Sequence, residues 1–122
     1  MKAEELRIGN FIENAAHNYI KITGYDIGML SESKLSMGSC SAIPLTPEIL
    51  EKAGFESNDI DDNWTIYEDE EKWIAGMNIK PHRNGYCFNP YGNEVLGVQC
   101  YYLHQLQNLY YALTGQELTI NL

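Results

Sequence analysis

Apolar and polar residues alternate in the first third of the chain with the period of two that is typical of a half-buried β-strand. Ile20 and Ile22 take the apolar positions, and Tyr19, Lys21 and Thr23 take the positions around them. The stretch NAAHN directly before them is rich in residues that favour turns. We therefore predict short strands on both sides of a turn in this part of the chain.

A helix is predicted over about residues 46–54, in the stretch LTPEILEKAGF. Thr46 can accept a hydrogen bond as the N-cap, and Pro47 suits the first helical position because its missing N–H would have no partner there. Gly54 can adopt the left-handed conformation that ends a helix, with Phe55 folding back onto the last turn.

Further short strands are predicted between turn-prone stretches. WTIYEDEEKWIAGM has the pattern of a hairpin whose turn is EDEE, because crowded carboxylates repel one another and belong at an exposed turn. GYCF and EVLGVQCYYL are two more strands, and ELTINL is the last predicted strand. Strands outnumber helices and no βαβ alternation is present, which predicts the α+β class with a mainly antiparallel sheet and two helices.

The second helix is predicted over residues 103–114 and is closed by Gly115. One of its faces is apolar and is predicted to be buried. This face consists of Leu103, Leu106, Leu109, Tyr110 and Leu113.

A second stripe of the same helix is polar but uncharged, and we call it the polar stripe. It consists of His104, Gln107, Asn108 and Tyr111, which helical spacing places on one side. The whole segment 95–116 carries no charge, whereas an ordinary surface helix would place Lys or Glu there. The stripe is therefore predicted to be a contact face, either for the N-terminal strands of the same chain or for a partner.

The composition is that of a folded protein, because 44% of the 122 residues are apolar and 20% are charged. We predict a single domain over residues 1–122. No apolar run approaches the roughly 18 residues of a transmembrane helix, and the N-terminus lacks the apolar core of a signal peptide. The three cysteines form no CxxC pair, which argues against a disulfide framework. A cytoplasmic protein without membrane contact is predicted.

The formal net charge of −9 argues against direct nucleic-acid binding, which needs Lys and Arg to neutralise phosphates. Residues 56–71 carry eight carboxylates and no basic residue. We favour the interpretation that this charge keeps the protein soluble. The alternative is an acidic inhibitor or nucleic-acid mimic that uses residues 56–71.

Residues 59–70 match the calcium-loop pattern in part. The matching positions are Asp59, Asp61, Asn63 and Glu70. Trp64 stands where the pattern requires the glycine of its sharp turn. We therefore interpret the segment as an acidic loop that leads into a hairpin.

His82, Cys87, Cys100 and His104 have the 4, 12 and 3 residue intervals of a two-cysteine, two-histidine zinc finger, with the ligand types exchanged. Four such ligands could hold zinc. However, both cysteines lie in apolar strand patterns, where a free cysteine behaves as a small buried apolar residue. We therefore predict no metal and no cofactor, and an enzyme that uses these four residues remains a further alternative.

Three stretches of the chain resemble a group of small uncharacterised proteins from Bacteroidales genomes and their phages. They are LRIGNFI, IPLTPEILEKAGF and YLHQLQNLYYALTGQEL, which occur in the same order and cover about a third of the chain. The resemblance implies a single compact domain of mobile-element origin. It implies no activity, cofactor or catalytic residue.

The function predicted from these patterns is a small cytoplasmic binding module rather than an enzyme, because no acid, base and nucleophile are placed together. Its partner would be another protein or a second copy of the chain. The predicted binding residues are those of the polar stripe, and no catalytic residue is predicted.

Overall fold

The computed structural model describes residues 5–14, 16–24, 40–58, 63–65, 78–88 and 98–122. The strands within these residues are β1 (Phe11–Asn14), β2 (Tyr19–Lys21), β3 (Cys40–Ser41), β4 (Glu56–Asn58), β5 (Asn63–Thr65), β6 (Asn78–His82), β7 (Gly85–Phe88) and β8 (Val98–Cys100). The helices are α1 (Pro47–Lys52) and α2 (Leu103–Thr114). Every strand pair described is antiparallel, so the predicted α+β class with two helices is confirmed.

The chain folds as two compact units. The first unit joins Met1–Pro44 with Tyr102–Glu117; it holds a three-stranded sheet in the order β2–β1–β3 and helix α2. The second unit joins Leu45–Tyr101 with Leu118–Leu122; it holds a five-stranded sheet in the order β4–β5–β6–β7–β8 and helix α1. The first unit therefore brings the N-terminal part of the sequence together with helix α2.

Strands β1 and β2 of the first unit form a hairpin where short strands on both sides of a turn are predicted. Ile12 lies opposite Ile20 in the ladder. Ile20 is half-buried and Ile22 is buried, whereas Tyr19 and Lys21 are exposed, so the predicted alternation of buried and exposed positions is confirmed.

The turn of this hairpin is held by one asparagine side chain. Oδ1 of Asn14 accepts hydrogen bonds from the backbone N–H groups of Ala16 and Asn18, each at 3.0 Å. His17 has a φ of +62°, in the left-handed region that a short turn requires. The turn predicted at NAAHN is therefore confirmed.

Helix α1 begins as its sequence predicts. Thr46 is the N-cap, and its Oγ1 accepts a hydrogen bond from the N–H of Ile49 at 3.2 Å. Pro47 is the first helical residue. One of the N–H groups that the first turn leaves without a helical partner is thereby satisfied.

Helix α1 also ends as predicted, at Gly54 with a φ of +89°. The N–H of Gly54 donates to the carbonyl of Glu51, and the N–H of Phe55 donates to the carbonyl of Leu50, each at 3.0 Å. These two bonds are those of a Schellman motif. Phe55 is buried, which confirms that it folds back towards the helix.

Strands β6 and β7 of the second unit are joined by a two-residue turn. His82 pairs with Gly85, and the intervening Arg83 and Asn84 have φ values of +50° and +66°. Two consecutive left-handed residues match the twist of the flanking strands. The strand predicted at GYCF is confirmed as β7.

The prediction of a last strand at ELTINL is wrong. Residues 117–122 pair with no strand in the described chain. Leu118 is buried, and the N–H of Asn121 donates to the carbonyl of Lys52 at 2.9 Å. Residues 118–122 therefore lie outside any ladder of the described residues, with Leu118 buried and one backbone hydrogen bond to the end of α1.

The predicted hairpin over residues 64–77 is seen only in part. Its first strand is β5, where Trp64 is buried and pairs with Ile79 of β6. Residues 66–77, which include the EDEE turn, lie outside the described residues. So does most of the calcium-loop match, because only residues 63–65 of it are described.

No helix in the described part of the chain is long and apolar enough to span a membrane.

Candidate functional site

Helix α2 carries the polar stripe, and residues from outside the helix fix its start. The N–H of Leu103 donates to the carbonyl of Ile43 at 2.8 Å. The side-chain Oε1 of Gln105 accepts from the N–H of Tyr102 at 3.2 Å. At the other end Gly115 takes the left-handed conformation, with a φ of +73°, as predicted.

The buried face of α2 is rotated relative to the predicted apolar face. Leu103, Leu106 and Tyr110 are buried as predicted. Leu113 is 51% exposed, so its predicted burial is wrong. Gln107 is buried in its place, because it lies one helical turn after Leu103 and on the same side.

The carboxamide of Gln107 bonds the backbone around the start of β1. Its Oε1 accepts from the N–H of Phe11 at 2.9 Å, and its Nε2 donates to the carbonyl of Gly9 at 3.1 Å. A side-chain amide offers the same donor and acceptor as a peptide group. Gln107 thus provides a partner for one backbone donor and one backbone acceptor of this segment.

Asn108 binds the segment just before β1 in the same way. Its Oδ1 accepts from Nε of Arg7 at 2.8 Å and from Nδ2 of Asn10 at 2.9 Å. Its Nδ2 donates to the carbonyl of Glu5 at 2.9 Å. The contact face that the polar stripe provides at Gln107 and Asn108 is therefore occupied by the chain's own N-terminal segment.

Arg7 is the central residue of this network, and the sequence patterns did not identify it. Its guanidinium donates to Oε1 of Glu117 at 2.6 Å and to the carbonyl of Gln107 at 3.3 Å. It also lies over the ring of Tyr111, with 4.4 Å between the guanidinium carbon and the ring centroid. No local pattern could show this, because Arg7 and Asn108 are 101 residues apart in sequence.

His104 is almost completely buried, with 1% of its surface exposed. Its ring stacks on that of Tyr102, with centroids 5.9 Å apart, and Oε2 of Glu5 lies 3.5 Å from Nε2. Neither ring nitrogen makes a hydrogen bond within the described chain.

Burial lowers the pKa of His104 below its usual 6.5, against the opposing effect of the Glu5 carboxylate. At neutral pH the ring is therefore an uncharged part of the interior. A general base must reach a substrate proton, and this side chain is enclosed.

The cysteines of the zinc-like spacing do not converge. Cys87 lies opposite Gln99 and Cys100 lies opposite Tyr86 in the β7–β8 ladder, so the two thiols alternate to opposite faces of the sheet. Burial, together with the neighbouring Cys87, raises the pKa of Cys100 to about 12, so this thiol is not a nucleophile near neutral pH. No group of three or more His, Cys, Asp or Glu side chains in the described residues could hold a metal ion.

The described network can therefore hold the N-terminal segment against α2 and leave the rest of the α2 surface accessible. This network brings no acid, base and nucleophile together. Comparison of the chain with models of protein families, with characterised proteins and with solved structures gave no significant match.

Proposed function

We propose that the protein is a small cytosolic binding module of mobile-element or phage origin, which acts by contact with another protein and not by catalysis. The observation that carries the proposal is the accessible surface of α2. Its half-buried and exposed side chains are Gln105, Asn108, Leu109, Tyr111, Ala112, Leu113 and Thr114. None of them is charged, although the chain has 17 acidic and 8 basic residues.

The outer strip of α2, which we define as Leu109, Ala112 and Leu113, is the apolar part of this surface. The three residues are spaced i, i+3 and i+4, so they lie side by side on the helix. Ala112 and Leu113 are exposed and Leu109 is half-buried. Interface centres are poor in charge and rich in apolar and tyrosine side chains, and Tyr111 is 44% exposed on the same turn.

The contacts of the polar stripe support a binding role rather than a catalytic role. Its two amides are used to bind the N-terminal segment. Its one group that titrates near neutral pH, His104, is enclosed. Tyr111 has Arg7 over one face of its ring and is still 44% exposed.

The proposal is tested by placing a charge in the outer strip. Leu113→Glu, in the full chain, is expected to abolish partner capture while leaving the free energy of unfolding nearly unchanged, because the side chain is exposed. The matched control is Tyr19→Glu, an equal change at an exposed residue of β2. Capture is measured by cross-linking in a Bacteroidales lysate, with an excess of untagged protein as competitor, and self-association is measured by sedimentation velocity.

The proposal would be contradicted if Leu113→Glu and Tyr19→Glu reduced partner capture equally. It would also be contradicted if an excess of untagged protein did not compete for the captured partner. A salt series separates it from the acidic-mimic alternative. An apolar contact should persist at high salt, whereas binding through residues 56–71 should be screened and lost.

A further inference from the structure

Asn84 and Gly85 form the single Asn–Gly pair in the chain. They lie at the turn between β6 and β7, where Asn84 is exposed and has a φ of +66°. No hydrogen bond from the described residues holds its carboxamide.

We propose that Asn84 is a site of spontaneous deamidation, with water as the co-reactant. The backbone nitrogen of Gly85 attacks Cγ of Asn84, so that an N–Cγ bond forms and the Cγ–Nδ2 bond breaks. Nδ2 leaves as ammonia and carries away the proton that the Gly85 nitrogen loses. Water then opens the five-membered ring at either carbonyl and leaves aspartate or isoaspartate at position 84. The sequence is a substitution and a hydrolysis, and no oxidant is needed.

The neighbouring residue is what distinguishes Asn84 from other asparagines of the chain. Gly85 has no Cβ beside the attacking nitrogen. Asn18 is also exposed in a hairpin turn, but the bulky Tyr19 follows it. The side-chain oxygen of Asn14 is engaged in two hydrogen bonds, and the carboxamide of Asn108 makes three.

The turn has little room for the isoaspartate product. Isoaspartate routes the main chain through Cβ, which lengthens a two-residue turn that pairs His82 with Gly85. Gly85 is closely surrounded, since a Cβ on it would lie 2.5 Å from the carbonyl oxygen of Cys100 and 2.8 Å from Nε2 of Gln99. The modification is therefore expected to loosen the β6–β7 hairpin as the protein ages.

The test is to age the folded, full-length protein at mildly alkaline pH and to follow its peptides by mass spectrometry, with an isoaspartate-specific assay. The peptide that contains Asn84 should convert at least severalfold faster than the peptide that contains Asn18. Asn84→Gly should remove the isoaspartate signal while it preserves the turn, because glycine accepts a positive φ. The aged protein should also melt at a lower temperature than fresh protein, and aged Asn84→Gly should not.

A reference sample unfolded in denaturant reports the chemistry of the free chain. Conversion of Asn84 in that sample but not in the folded protein would overturn the proposal, because the turn would then protect the residue. Equal rates at Asn84 and Asn18 in the folded protein would overturn it as well.

Discussion

At the scale of single residues, two amides influence which side of α2 faces inward. The apolar residues alone predicted that Leu113 would be buried, yet it is exposed and Gln107 is buried. A buried backbone group without a partner costs about 1–3 kcal/mol. Gln107 and Asn108 together bond three backbone groups of the N-terminal segment, which favours turning them towards it.

Asn108→Ala should lower the free energy of unfolding by about 1–3 kcal/mol, because Nδ2 of the buried Asn10 and the guanidinium of Arg7 would each lose a partner. Urea denaturation measures the change. Gln116→Ala, at an exposed position, is the control and should change the free energy by less than about 0.5 kcal/mol. Equal effects of the two substitutions would show that the network contributes little.

The buried His104 predicts a pH dependence of stability. Its pKa in the folded protein lies below the 6.5 of an unperturbed histidine, chiefly because it is buried. As the pH falls below about 6.5, the unfolded chain takes up this proton before the folded protein does. The contribution of His104 is therefore fully present above that pH and decreases as the pH falls towards the folded-state pKa.

The measurement is the urea midpoint at a series of pH values from about 7.5 to 5. His104→Gln should remove this part of the decrease, whereas His17→Gln, at an exposed turn position, should retain it. A decrease of the same size in His104→Gln and in the original protein would assign the pH dependence to other groups.

At the scale of secondary structure, the sequence predicts best where the deciding contacts are local. The N-cap Thr46 and the C-terminal Gly54 of α1 act within a few residues of the helix. A short stretch of sequence was therefore enough to predict both ends of this helix. ELTINL has the composition of a strand, but a strand needs a neighbouring strand to pair with. The local sequence does not show whether such a neighbour is present. The buried face of α2 was predicted incompletely for the same reason, since Gln107 bonds residues about a hundred positions away.

The stability of α2 should depend on the buried face that the structure shows. Leu106 is fully buried, and Leu106→Ala should lower the free energy of unfolding by about 2–5 kcal/mol. Leu113→Ala removes the same group from an exposed position of the same helix and should cost less than about 0.5 kcal/mol. Thermal or urea unfolding of both variants measures the two losses in free energy of unfolding. If the face predicted from apolar spacing were the buried one, the two losses would be similar.

The β7–β8 pair should be intolerant of a side chain at Gly85. Gly85→Ala places a Cβ 2.5 Å from a backbone oxygen, that of Cys100, and a backbone atom cannot turn aside as a side chain can. We expect a loss of about 1–3 kcal/mol, as for overpacked interiors. Gly24→Ala is the control, because its Cβ would lie 3.4 Å from Cδ1 of Ile8 and within ordinary contact. If Gly85→Ala left the free energy of unfolding unchanged, β8 would have to shift easily to make room for the added methyl group.

At the scale of the whole molecule, the N-terminal segment and helix α2 belong to one unit. LRIGN and HQLQNLYYALTG lie far apart in the sequence, and the structure shows hydrogen bonds between them at Arg7, Gly9 and Asn10. Sequence analysis predicted that the polar stripe contacts either the N-terminal strands or a partner, but nothing in either stretch specified which of these it is or that Arg7 takes part.

Arg7 should connect the N-terminal segment to the C-terminal part of this unit mainly through Asn108 and only weakly through Glu117. The side chains of Arg7 and Glu117 are 30% and 49% exposed, and an ion pair at such a surface contributes about 0.2–1 kcal/mol. The bond to Asn108 is partly buried, and the same Asn108 oxygen also accepts from the buried Asn10. Double-mutant cycles with alanine should give a coupling energy of about 0.5–3 kcal/mol for Arg7 with Asn108. The coupling of Arg7 with Glu117 should be smaller and should fall further at high salt, where exposed charges are screened. A larger, salt-sensitive coupling to Glu117 would show instead that the ion pair holds the two parts together.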